Sequence, residues 1–151
     1  MRILMMLVLS MFLFVTNVSA ASADPPDLGP LTGEWAGTWT SLNSPSYNGT
    51  VELNVTQDGN KVSGTSVMGN AKCFPDRIFK GKVSGIGNNV IKLKLFAEDD
   101  PGTQVAKTWG VINRCQNAIS AVYKFTTEGS GKCQYDVGTM FISKKQPFSP
   151  C

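Results

Sequence analysis

From Thr32 onward the chain is written in short runs that alternate apolar and polar side chains, each run broken by Gly, Asn, Asp or Pro. A two-residue period turns successive side chains to opposite faces, which is the mark of strands with one dry and one wet side. Val51, Leu53 and Val55 oppose Glu52, Asn54 and Thr56. Ile91, Leu93 and Leu95 oppose Lys92 and Lys94, and Phe79, Gly81 and Val83 oppose Lys80 and Lys82. Ile119, Ala121, Tyr123 and Phe125 share a face, as do Trp35 and Trp39. No window carries a sustained helical stripe with caps.

Eight strands are expected: Gly33–Leu42, Asn48–Gln57, Lys61–Gly69, Arg77–Ser84, Val90–Glu98, Thr103–Ile112, Ala118–Thr127 and Cys133–Lys144. Asp58-Gly59 is a two-residue hairpin signal. Gly85 to Asn89, Asp99 to Gly102 and Gly129 to Gly131 are further breaks. Short antiparallel links with one apolar face per strand describe a meander. Eight strands in a meander close on themselves and so remove both free edges. The expected fold is therefore all-β, an eight-stranded antiparallel up-and-down β-barrel spanning residues 33–145.

The chain ends carry different signals. Met1-Arg2 supplies a positive charge, and Ile3 to Val15 is apolar except for Ser10. Val18-Ser19-Ala20 is a small-residue cleavage site, so residues 1–20 read as a secretory signal peptide. The run is shorter than the roughly 20 apolar residues that span a bilayer. No later segment is long and apolar enough to span one. Removal of residues 1–20 leaves 131 of the 151, enough for one domain with a real core. Residues 21–32, with Pro25, Pro26 and Pro30, read as a flexible leader. The expected location is outside the cell or in the periplasm.

The chain has no histidine, which excludes Ser-His and Cys-His catalysis and histidine metal sites. Without Arg2 the 14 Lys and Arg become 13 against 11 acids, too small an excess to suggest nucleic acid. Glu34, Glu52, Glu98, Asp99, Asp100, Glu128 and Asp136 form no recognisable set with a nucleophile, so no enzyme, cofactor or metal is expected. Lys80, Lys82, Lys92 and Lys94 fall on the polar faces of adjacent strands. They either keep a sheet surface soluble or meet an acidic partner or a membrane surface.

Four cysteines in an exported chain read as two disulfides. In a meander, residues separated by an even number of strands lie at the same barrel end. Cys73 and Cys133 are four strands apart, and Cys115 and Cys151 two. Every other pairing joins ends about 25–30 Å apart, whereas a disulfide needs Cα atoms within about 7 Å. The expected bridges are Cys73–Cys133 and Cys115–Cys151, the latter tying down a tail at residues 146–151.

Leu31-Thr32-Gly33-Glu34-Trp35 opens the first strand, and Gly64-Thr65 sits in the third. A Gly-x-Trp there, ahead of an up-and-down barrel, resembles the calycin group of lipocalins, avidins and their relatives. The resemblance implies that Trp35 packs at one barrel end under a basic residue of the last strand, Lys144 or Lys145. The avidin biotin site does not carry over: Gly37 stands where that family has Asn, and Ser66 where it has Tyr. The opening Leu31-x-Gly33-x-Trp35 also resembles bacterial periplasmic inhibitors of secreted metalloproteases, which insert a mobile leader into the protease cleft.

Two functions follow as expectations. The first is binding of a small, mostly apolar ligand inside the barrel. Its candidate lining is Trp39, Val51, Leu53, Val55, Leu93, Tyr123 and Phe125, with Trp109 added as an aromatic whose facing the pattern leaves open. The second is proteinase inhibition through the leader and one barrel mouth. The expected partner is accordingly a small apolar ligand or a secreted protease. An eight-stranded barrel is just wide enough to hold one small ligand or to be filled by its own side chains.

Overall fold

The structure, a computed structural model, describes residues 31–72, 74, 76–126 and 133–145. Eight strands follow one another: β1 (Gly33–Ser41), β2 (Asn48–Asp58), β3 (Lys61–Gly69), β4 (Ile78–Gly87), β5 (Val90–Ala97), β6 (Gln104–Ile112), β7 (Ala118–Phe125) and β8 (Val137–Lys144). Each pairs antiparallel with the next, and β1 pairs with β8, so the sheet is a closed barrel without a free edge. The closing register sets Trp35 opposite Lys144, Gly37 opposite Ile142 and Trp39 opposite Met140.

Closure at this radius needs strands to approach closely. A Cβ on Gly37 would lie 1.9 Å from the Phe141 carbonyl oxygen, and one on Gly85 would lie 2.0 Å from that of Lys92. Glycine at these inward positions lets neighbouring backbones coil past one another. This also explains a difference from the sequence reading. Gly85 and Gly87 were expected in a turn, yet they continue β4, paired with Leu93 and Ile91. The turn is reduced to Asn88 and Asn89.

Two more boundaries move. Leu31 and Thr32, expected in the leader, are docked on the barrel. Leu31 is buried, and the Thr32 hydroxyl accepts the Gln57 amide at 2.9 Å. The eighth strand begins at Val137 rather than Cys133. Tyr135 has φ of 62°, which ends an extended run before it, and Asp136 is recruited to a clip. Its two carboxylate oxygens accept the Ser41 hydroxyl at 2.6 Å and the Tyr123 hydroxyl at 3.0 Å. The Ser41 oxygen in turn accepts the amides of Asn43 and Ser44. One carboxylate thus ties the β1–β2 loop, β7 and the approach to β8 together.

The signal peptide at 1–20, leader residues 21–30 and the tail at 146–151 lie outside the described residues. So do Cys73 and Cys151, on which the two expected bridges each end. No cysteine pair lies among the described residues, and neither Cys115 nor Cys133 is a free thiol.

Burial, then the nearby Asp136 charge and its hydrogen bond, pushes the Tyr123 hydroxyl well above its ordinary value near 10. A raised folded value means that the folded chain keeps a proton which the unfolded chain loses above about pH 10, so stability falls as pH rises past that point. Tyr123→Phe is expected to cost about 1.5–3 kcal/mol at neutral pH, the worth of a hydrogen bond to a charged group. It should also flatten the alkaline loss. Urea unfolding of both proteins at neutral and alkaline pH checks the two effects together.

Candidate functional site

Inward side chains fill most of the barrel. At one end Trp39 and Tyr123 meet edge to face with ring centroids 6.1 Å apart, and Tyr123 meets Phe125 at 5.5 Å. The Trp39 indole donates to the Gly69 carbonyl at 3.1 Å. Phe74, from the β3–β4 loop, packs on Phe79 across that mouth at 5.1 Å. At the other end Trp35 is 1% exposed and donates its indole N–H to the Leu31 carbonyl at 2.9 Å. The Lys144 ammonium lies 5.7 Å from its ring centroid, within cation–π range. The basic cap that the calycin resemblance implied over Trp35 is therefore Lys144. Lys145 instead reaches outward, to Glu52 at 2.9 Å and Glu34 at 3.7 Å.

Between the aromatic layer and Trp35 a cavity of about 30 Å³ remains. Val51, Leu53, Leu93, Ile119 and Met140 are among its apolar walls, and no ionisable side chain lines it. Two of its lining groups are hydroxyls, Ser66 on β3 and Thr108 on β6. They are 1% and 7% exposed, and neither oxygen has a hydrogen-bond partner among the described residues. A buried polar atom without a partner costs about 1–3 kcal/mol, so an unrelieved pair facing one void calls for an explanation.

The eight candidate residues divide accordingly. Val51, Leu53 and Leu93 line the cavity. Trp39, Val55, Tyr123 and Phe125 are buried but pack against other side chains of the core. Trp109 is not inside: it is 39% exposed on the outer face, across from Lys92 on one side and Val122 on the other. In the middle of β6 the inward positions are the small or polar Ala106, Thr108 and Gly110 and the outward ones Lys107, Trp109 and Val111, while Val105 is buried near one end of the strand and Ile112 packs on the core at the other. Trp109, the largest apolar side chain of this strand, therefore points away from the core.

Ser66 and Thr108 were absent from the expected lining. The signal for Ser66 is alternation, since it falls in step with Val62, Gly64 and Met68 on β3, a polar residue on an otherwise small or apolar face. Thr108 became legible only once the facing of β6 was known.

No family model and no curated protein matches the chain. Among solved structures it resembles a redesigned β-barrel, with TM-score 0.56 and 10% identity, over 81% of this chain and 96% of that one. At that identity the likeness shows the fold alone, an eight-stranded antiparallel barrel, and it brings no enzyme family with it.

Proposed function

We propose that this chain is an exported, calycin-like barrel that binds a small guest in its interior. The guest lies against apolar walls and gives its polar end to Ser66 and Thr108. The carrying observation is the pair of unpartnered hydroxyls in one enclosed, otherwise apolar cavity. A cavity of about 30 Å³ compares with the roughly 30 Å³ that one water occupies in the liquid. As it stands the cavity therefore holds one water-sized group, and a guest of a few heavy atoms enters only if the walls move, with Met140 the wall residue best able to adapt. This narrows the expectation of a small, mostly apolar ligand in the barrel interior, because Trp39, Tyr123 and Phe125 pack into the core rather than line the cavity. Lys144 over Trp35 supports the calycin likeness.

Export rests on the pattern of residues 1–20. The proposed bridges Cys73–Cys133 and Cys115–Cys151 rest on strand count. Position 73 falls between β3 and β4 and 133 between β7 and β8, an even count apart; 115 and 151 relate in the same way. Proteinase inhibition rests on leader residues 21–30, outside the described set, and no observation favours it.

Titration of the exported protein with methanol, ethanol, propanol and butanol, followed through methyl resonances, tests the interior site. Saturable shifts at Val51, Leu93, Ile119 and Met140 are expected, fading as the alcohol outgrows the cavity. The double variant Ser66→Ala/Thr108→Val should bind alcohols about tenfold more weakly while binding the matching alkanes as well as before, one hydrogen bond being worth about 1 kcal/mol or more. Absence of saturable interior shifts, or identical alcohol binding by the variant, contradicts the reading. A non-reducing peptide map of the same protein is expected to start at Ala21 and to link 73 with 133 and 115 with 151; a link between 73 and 115 would contradict the pairing.

A further inference from the structure

The outer face of the barrel is not uniform. Strands β4, β5, β6 and β7 together carry Lys80, Lys82, Lys92, Lys94, Lys107 and Lys124 and not one Asp or Glu. All six lysines are exposed. Among the described residues none of them lies within ion-pair distance of a carboxylate, the ion pairs being those of Lys145 with Glu34 and Glu52. The register sharpens the imbalance. Lys94 sits directly opposite Lys107, and Lys107 directly opposite Lys124. Like charges facing across neighbouring strands destabilise a sheet.

Beside Lys92, Lys107 and Lys124 lies an apolar hollow of about 590 Å³, while Lys80 and Lys82 on β4 stand across the barrel from its β8 wall. Val90, Trp109, Val111, Val122 and Phe141 stand around it, with Val111 55% and Phe141 58% exposed. Its remaining surface includes the short hydroxyl side chains of Thr38, Thr40 and Thr139. Exposed apolar side chains gathered into one patch, rather than scattered singly, mark an interaction surface.

We propose that this face docks on an anionic lipid bilayer. Lys92, Lys94, Lys107 and Lys124 meet the headgroups, and Trp109, Val111 and Phe141 enter the boundary with the acyl chains. Charge complementarity selects this occupant. A second copy set face to face would bring Lys94, Lys107 and Lys124 against the same lysines, since the acids of the β5–β6 loop, Glu98 and Asp99, lie beside Lys80 rather than among these three. An acidic polypeptide fits less well. The closed barrel offers no free strand edge for it to extend, and no amide or guanidinium side chain lines the hollow to hold a peptide backbone. Hydrocarbon asks for no such groups, and tryptophan and lysine are the side chains that settle at a bilayer interface.

Tryptophan fluorescence reads this face selectively, because Trp35 and Trp39 are buried at 1% and 4% while Trp109 is exposed. The exported protein, its N-terminus verified by intact mass, is mixed with vesicles of phosphatidylcholine alone or of phosphatidylcholine with phosphatidylglycerol. Sedimentation with the anionic vesicles and a blue shift of emission are expected. Both should weaken when salt shortens the Debye length from about 10 Å to about 3 Å. The triple variant Lys94→Gln/Lys107→Gln/Lys124→Gln should lose roughly a hundredfold in vesicle affinity. It should unfold at the same or a higher temperature, since the facing charges are gone. Four results would each overturn the proposal: no sedimentation with anionic vesicles at low salt; equal sedimentation by the folded triple variant; a dimer in solution that Trp109→Ser dissolves; or the same blue shift with soluble polyglutamate. The last would assign the face to an acidic polypeptide. None of these outcomes bears on the interior cavity, so this surface and the interior site stand or fall separately.

Discussion

The pairing of β1 with β8 is the constraint on which the rest of the molecule depends. It makes an inside and an outside from a sheet that would otherwise have two faces and two edges. Once closed, every inward position of the eight strands competes for one small volume, and every outward position is committed to solvent or to a partner. Gly37 carries much of this closure. Its position would set a side chain against the Phe141 backbone, so the two strands meet only because it has none.

Closure also determines how the interior is used. Eight strands enclose little more space than their own side chains need. The aromatic layer of Trp39, Tyr123 and Phe125 takes one part, and Trp35 under Lys144 takes another. What remains is small and carries two hydroxyls without partners. The two hydroxyl oxygens, Ser66 and Thr108, are the observation on which the proposal of an interior binding site rests. On the outside the same economy appears as asymmetry. Acids gather on β1, β2 and the loops, while β4 to β7 are left purely basic beside an apolar hollow.

Much of the fold was legible in the sequence, because alternation and turn residues act locally. All eight strands stand where their periodicity set them, with ends that moved by a few residues. The exceptions have physical causes. Gly85 and Gly87 resemble a turn in sequence but serve as close-approach points within a strand. Position 133 resembles a strand start, but Tyr135 and Asp136 make a turn and a clip there. The site was less legible. Large aromatics look like ligand contacts and look equally like core. Trp109 was ambiguous because the middle of β6 keeps Ala106, Thr108 and Gly110 inside and turns Trp109 and Val111 outward. Which lysines face one another depends on register, and register is fixed by the whole barrel rather than by any one strand.

The most direct measurement is the set of cross-strand nuclear Overhauser contacts and amide exchange rates between β1 and β8 in solution. The account predicts backbone contacts between Gly37 and Ile142 and between Trp39 and Met140, with amides in both strands exchanging as slowly as those between β4 and β5. Missing contacts together with fast exchange along β1 and β8 would mean an open sheet, and would contradict both the enclosed cavity and the division of faces drawn from it.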